Sequence, residues 1–187
     1  MIPVSRIVSS MRYALRDMQG LNVSDFELIE AINQASALLY GHFSEKFIHT
    51  ALKKTLLVVD DDGQTTLPSD FVSVHRVGMG SEGYAIPESY LVTQAGTYRI
   101  AGNNFYAPEG TYSFEYYYVP QRVTSLTDRL EVPLSLSPYI EQISVAMLSK
   151  DLASAEQLAQ VCCNVQAGGE ISHLENTGPV EILGGML

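Results

Sequence analysis

The stretch at residues 97–120, TYRIAGNNFYAPEGTYSFEYYYVP, constrains the fold more than any other. It reads as two back-to-back hairpins. TYRIA runs into a GNN turn, FYAP returns, and after EG the chain continues as TYSFEYYYV. Gly102, Asn103 and Asn104 are residue types that accept positive φ, which a tight hairpin turn requires. Tyr112, Phe114, Tyr116 and Tyr118 alternate with Ser113, Glu115 and Tyr117, the period of a half-buried strand. Pro108 and Pro120 close their strands, because proline has no N–H to give to a ladder.

The flanks of this block have a different period. Ile7, Val8, Met11, Leu15 and Met18 recur at helical spacing, which predicts a helix over 4–18 ended by Gly20. Ser24 and Glu27 form a capping box, SDFE, for a second helix that reaches about Ser44. Its apolar stripe is Phe26, Ile29, Ile32, Leu39 and Phe43, and Asn33 and Gln34 stand on it as hydrogen-bonding groups. Residues 47–60 are extended and end at Asp60-Asp61-Asp62-Gly63, read as a solvated hairpin tip. The EF-hand pattern needs ligands at alternate positions, and Thr65, Thr66 and Leu67 do not supply them. Strands follow at 71–79, with Val72, Val74 and Val77 as the apolar set, and more weakly at 85–93. Helix returns at Ser137, the expected N-cap, with Pro138 at the first helical position. It continues or restarts over 153–166 with Ala155, Leu158, Ala159 and Cys162 inward, and Gly168-Gly169 stop it.

The pattern is α+β: a small helical bundle (1–45 and 134–168), an antiparallel β insertion (46–133) and an extended C-terminal tail (169–187) in one structural unit. The tail is apolar at Val180, Ile182, Leu183, Met186 and Leu187, and Glu181 is the only charged residue in its last ten. That composition points either to a fold-back onto the bundle or to docking of the tail on a partner.

A chain of 187 residues can bury roughly 70% of its unfolded surface, enough for a core without metals or disulfides. The net charge of −10 argues against tight binding to nucleic-acid phosphates. Arg6, Arg12 and Arg16 sit near the N-terminus, whereas no Lys or Arg follows Lys150. The two cysteines, Cys162 and Cys163, are adjacent, a poor geometry for a disulfide, and a reducing compartment fits them. The first residues lack the apolar core of a signal peptide, and the longest stretch free of Asp, Glu, Lys and Arg, 31–44, is too short to span a bilayer. A soluble protein made in a cytoplasm is expected.

No catalytic, cofactor or metal motif stands out. His42, His49, His75 and His173 lack metal-ligand spacing, and no GxSxG, P-loop or GxGxxG occurs. The expectation is a protein that is not an enzyme. The tyrosines at 116–118 could stack on bases or sugars, but the strand period favours core packing and a subunit interface.

Three segments together carry a resemblance. They are SDFELIEAINQASALLYG, TTLPSDFVSVHRVGM and YRIAGNNFYAPEGTYSFEYYYVPQRVTSLTDRLEVPLSLSPYIEQISVAML. Their order and spacing, over most of 24–166, resemble the head-to-tail adaptor (connector) proteins of tailed bacteriophages, including the tail tubular protein A group. The resemblance implies a structural virion protein. It would form a ring, typically of twelve copies, between the portal protein and the next tail or nozzle component. DNA would pass through the channel without specific binding, and no membrane would be involved. The site would be the virion neck, and the host cytoplasm before assembly. Within that reading Val180, Ile182, Leu183, Met186 and Leu187 are candidate interface residues, and Asp60, Asp61 and Asp62 are candidate acidic residues of the channel wall. The alternatives are a stopper or tail-completion protein, or a carbohydrate-binding β module or small hydrolase with helical decoration.

Overall fold

The computed structural model describes residues 1–80, 84–89 and 96–175. The elements run β1 (Ile2–Pro3), α1 (Val4–Ala14), α2 (Asp25–Glu45), a 3-10 turn (His49–Ala51), β2 (Leu52–Val59), β3 (Gln64–Thr66), β4 (Phe71–Met79), β5 (Tyr84–Ala85), β6 (Arg99–Ala101), β7 (Asn104–Tyr106), β8 (Gly110–Tyr118), β9 (Arg129–Leu130), a second 3-10 turn (Leu134–Leu136), α3 (Ser137–Leu148) and α4 (Leu152–Glu175). The architecture is α+β, with helices on either side of the β block in sequence.

The helix starts are the most local part of this order. Both halves of the capping box at α2 form: Ser24 accepts from the Glu27 N–H, and the Glu27 carboxylate accepts from the Ser24 N–H. Phe26, expected on the buried stripe, instead projects into solvent; Leu28, Ile29, Ile32, Leu39 and Phe43 are the residues that turn inward. α1 stops at Ala14, not at Met18, because the chain reverses through Arg16 at φ 55°. Gly20 (φ 67°) belongs to that reversal, and a Cβ there would lie 3.0 Å from the Arg12 guanidinium. Ser137 is not a cap. It lies inside α3 and donates to Glu141 at 2.9 Å, and the N-cap position falls to Leu136. α3 and α4 are separate helices, divided at Lys150 (φ 58°). Asp151 then caps α4, accepting from the N–H and hydroxyl of Ser154. Gly168-Gly169 do not stop α4, which continues to Glu175, so 169–175 are helical and not extended. Glycine lowers helix propensity by only about 1 kcal/mol per residue, too little to end a helix by itself.

The β block differs more from expectation. The 102–103 turn does join β6 to β7, with Ala101 facing Asn104 and Gly102 at φ 59°. The second hairpin does not form: β7 pairs with β3 and β6, whereas β8 pairs with β2 and β4. The result is a four-stranded sheet in the order β2-β8-β4-β5, a three-stranded sheet β3-β7-β6 and a short pair β1-β9, all antiparallel. Asp60–Gly63 is therefore a corner that carries the chain from one sheet to the other, not a hairpin tip. Two register slips in β4, between Phe71 and Ser73 and between Val74 and Arg76, leave Val72 exposed and Val77 buried.

β8 is the centre of the molecule. Tyr112, Phe114, Tyr116 and Tyr118 face a core that continues into the small sheet through Phe105, 5.4 Å from Tyr112 and 5.8 Å from Phe114 between ring centroids. The same face reaches α2, where Tyr118 meets Tyr40 edge-on at 5.2 Å. Ser113 and Tyr117 on the other face are also buried, so β8 is covered on both sides and not half-buried. Helices and sheets share one contiguous cluster of buried side chains, from Ile2 to Cys163. Each fully buried Phe or Leu in it contributes roughly 1.5–3 kcal/mol relative to exposure.

Candidate interaction surfaces

The titratable groups sort themselves by what they touch. His42 bridges two helices, with Nε2 2.7 Å from Glu156 and Nδ1 3.6 Å from Glu45. His75 Nδ1 lies 3.3 Å from the Tyr117 hydroxyl, and its ring centroid is 5.8 Å from that of His49. His173 falls on α4. Among the described residues no group of three or more His, Cys, Asp or Glu side chains is placed to hold a metal ion. Cys162 and Cys163 are buried and unbridged. Burial, with Cys163 beside it, pushes the Cys162 thiol up to about 12, which keeps it protonated and unreactive. Among the described residues no helix is long and apolar enough to cross a membrane.

The tyrosine ladder is core, not a stacking platform. Tyr116 donates to Asp70 at 3.0 Å, and Tyr112 donates to the Pro108 carbonyl at 2.7 Å. Asp70 also holds Lys53 at 2.6 Å, and Glu131 lies 3.4 Å from the same ammonium. Burial opposes the charge on Lys53, but the two carboxylates outweigh it and raise its pKa above the ordinary value. This cluster pins the edge strand β2 and the turn before β4 to the end of β8. It explains the Asp of the LPSDF segment as a structural anchor.

Asp60, Asp61 and Asp62 are exposed on the sheet-switching corner. The corner is closed by the Gly63 N–H donating to Asp60 O at 2.9 Å and by the Ala107 N–H donating to Gly63 O at 3.2 Å. The tail residues Val180, Ile182, Leu183, Met186 and Leu187 lie outside the described residues.

One surface escaped the sequence reading. The loop after α1, the start of α2 and the α3–α4 turn gather at one end of the bundle: Phe26 lines a hollow with Met147 and Leu148, and Ala14 lines another with Ser149 and Asp151. Tyr13, Met18, Leu21, Phe26 and Leu152 on these segments are each 67–78% exposed. The loop is held rigidly by Asp17, whose buried carboxylate accepts from the N–H groups of Leu21, Asn22 and Val23 and pairs with Arg12 at 3.3 Å. Burial acts to raise the Asp17 pKa, but those hydrogen bonds and the guanidinium outweigh it and hold the carboxyl below its ordinary value. Arg12 also reaches the Val23 carbonyl and the Asp25 carboxylate. The signal was present in DMQGLNVSD: an aspartate, a glycine and an Asx residue between two amphipathic helices, with Leu21 on neither stripe.

Beside this end lies a groove of about 530 Å³ between α1, α3 and α4, with Ala14, Val145, Ala146 and Leu158 in its lining and Glu141 and Asp151 as its only charged residues. Ser10 and Ser137 each donate to the Glu141 carboxylate, at 2.7 and 2.9 Å. Far along the chain, the outer face of the four-stranded sheet also carries apolar side chains. There Leu56 is exposed at the β2 edge, beside Ser113 and Gly78, which are buried, and in the next row Lys54 pairs with Glu115 at 3.4 Å alongside Arg76.

Compared with known protein families and with curated proteins, the chain matches no family model and no curated protein.

Proposed function

We propose that this chain is a subunit of a head-to-tail adaptor ring of a tailed bacteriophage, joining the portal protein to the next tail or nozzle component in the virion neck. The observation that carries the reading is the apolar end of the bundle. Met18 and Leu21 stand in solvent on a loop that a buried carboxylate holds in place, and Tyr13, Phe26 and Leu152 are exposed on the ends of α1, α2 and α4. An exposed apolar patch of this kind marks an interaction site, and its rigidity lowers the entropy lost on association. The order of segments, with a β block between two helical halves, agrees with the resemblance of 24–166 to the adaptor family.

On this reading the net charge of −10 keeps DNA phosphates from sticking to the channel, and the exposed Asp60, Asp61 and Asp62 are candidates for its wall. Val180, Ile182, Leu183, Met186 and Leu187 would anchor the tail on the portal or on an adjacent subunit. The role is structural; no catalysis and no cofactor are part of it. The test is electron microscopy and mass measurement of the purified chain with and without portal protein. A ring of about twelve copies, alone or on the portal, is expected. A monomer under every such condition overturns the proposal.

A further inference from the structure

The four-stranded sheet has one long open edge. β2 pairs with β8 from Leu52 to Val59 without a register slip, and among the described residues no strand lies on its other side. In an antiparallel pair alternate residues turn their N–H and C=O groups away from the partner strand. In β2 those outward groups find no hydrogen-bond partner among the described residues. The side chains alternate too: Leu57 and Val59 are buried, whereas Leu56 and Val58 are 53% and 59% exposed. Two lysines stand in the first half of β2, but the second half, LLVV, has no charge, proline or bulge to blunt the edge. An edge of that kind is a template for an added strand.

α4 carries the chain past this edge. Lys46 donates to Asn164 and Thr50 donates to Gln166, each at 3.4 Å, and Thr50 lies just before β2. From Gln166 to Glu175 α4 advances about 13 Å. Residues 176–183, if extended, can return over about 26 Å. They read NTGPVEIL: a Gly-Pro step that can turn the chain, then Val180, Glu181, Ile182 and Leu183, a short run with β-branched and apolar side chains.

We propose that in the free chain residues 180–183 add to the open edge of β2 as a further strand, with Val180 and Ile182 beside Leu56 and Val58. Tethering selects this occupant. A segment on a short linker acts at an effective concentration on the order of millimolar, which a separate copy or peptide does not reach in dilute solution. Backbone pairing satisfies the outward groups of β2, and alternate side chains set the register. The inference goes beyond the ring-subunit reading, in which the same residues anchor on the portal or a neighbour. Assembly would then draw the strand off its own β2, and the tail is a latch that the partner opens.

Residue-resolved amide hydrogen exchange by NMR tests this on three chains: the full chain, a chain ending at residue 177, and a Glu181→Pro/Ile182→Pro variant. Adjacent residues of a strand point their N–H groups to opposite sides, so one of the two prolines must stand where the added strand gives a hydrogen to β2. In the full chain both alternate sets of amides over 55–59 should exchange slowly, and equally slowly after tenfold dilution. Truncation should leave the set that faces β8 slow and speed the outward set by about tenfold or more, and the proline variant should speed the same set. Unchanged circular dichroism would establish that the fold is kept; if truncation melts the helices, the proline variant decides alone. Equal exchange of the outward amides in the full chain and the variants overturns the inference. Protection that is lost on dilution assigns the strand to a second copy and overturns it as well. None of these outcomes involves portal protein, so the ring-subunit reading stands or falls separately.

Discussion

The side-chain amide of Asn33 holds the backbone of Val123 at both of its polar groups. Nδ2 donates to the Val123 carbonyl and the Val123 N–H donates to Oδ1, each at 2.9 Å and both buried. One residue before, Arg122 pairs with Glu30 at 2.6 Å on the surface. The connection from β8 toward α3 is thus stitched to α2, and the buried stitch matters more than the exposed one. Asn33→Leu should leave a buried N–H and a buried carbonyl unsatisfied, at about 1–3 kcal/mol for each group. Urea unfolding measures the loss. A change below ~0.5 kcal/mol would mean that water satisfies both groups.

Tyr40 presents the reverse situation. Its ring is fully buried against Phe43 and Tyr118, and its hydroxyl finds no hydrogen-bond partner. Tyr40→Phe removes an unsatisfied polar atom and keeps the ring. Stability should be unchanged or rise by up to about 1 kcal/mol. A loss above that value would show that the hydroxyl is paired in solution.

Phe114 reports on whether helices and sheets unfold together. It is fully buried on β8, against Phe71 and Phe105. Phe114→Ala should cost about 3–5 kcal/mol. Because the cluster is continuous from α2 to the small sheet, helical circular dichroism and tyrosine fluorescence should shift to the same lower urea midpoint. Separate midpoints would indicate two cores.

Asp17 sets the sign of an acid response. Its folded pKa lies below the ordinary 3.8, so its contribution is fully present above the unfolded value and is lost as pH falls through the folded one. The same sign holds for Asp128, whose carboxylate accepts from Thr124 and Ser125, and for Asp151, which accepts from Ser154. Asp17→Asn should therefore be less stable than wild type at pH 7, with the gap closing as pH drops below 3.8. Parallel unfolding curves at pH 7, 5 and 3 decide it. A gap independent of pH would remove the carboxylate's charge from the explanation.

What could be read from the residues was whatever depends on near neighbours. Ser24 and Glu27 are three residues apart, and their box formed as read. Gly102 makes its turn with the strands on either side of it. The errors concern partners distant in sequence. Nothing in FYAPEGTYSF says that β7 and β8 belong to different sheets, because that depends on β2 and β3 competing for them. Phe26 fits the stripe by spacing, but it sits in the first turn, where it lines an open hollow with Met147 and Leu148 and stays exposed. Met18 matched the period of α1, and the pull of the Asp17 carboxylate on three downstream N–H groups ended the helix first. The exposed apolar residues at the bundle end are hard to see for a related reason: apolar residues are normally assigned to a core, and only the folded arrangement shows which ones the core leaves out.

The interruption of the bundle by the β block also has a consequence during synthesis. α2 packs chiefly on α3 and α4, yet about 90 residues separate its end from the start of α3. At roughly 5–20 residues per second, the ribosome needs about 5–20 s to supply them. For that interval the nascent α1 and α2 have their apolar stripes finished and their partners unmade, and β1 waits longer still for β9. Folding of this chain is therefore gated by translation of its C-terminal third. A stall or truncation between β8 and α3 would release a chain whose first 45 residues are sticky and whose β8 has no helix lid locked above it.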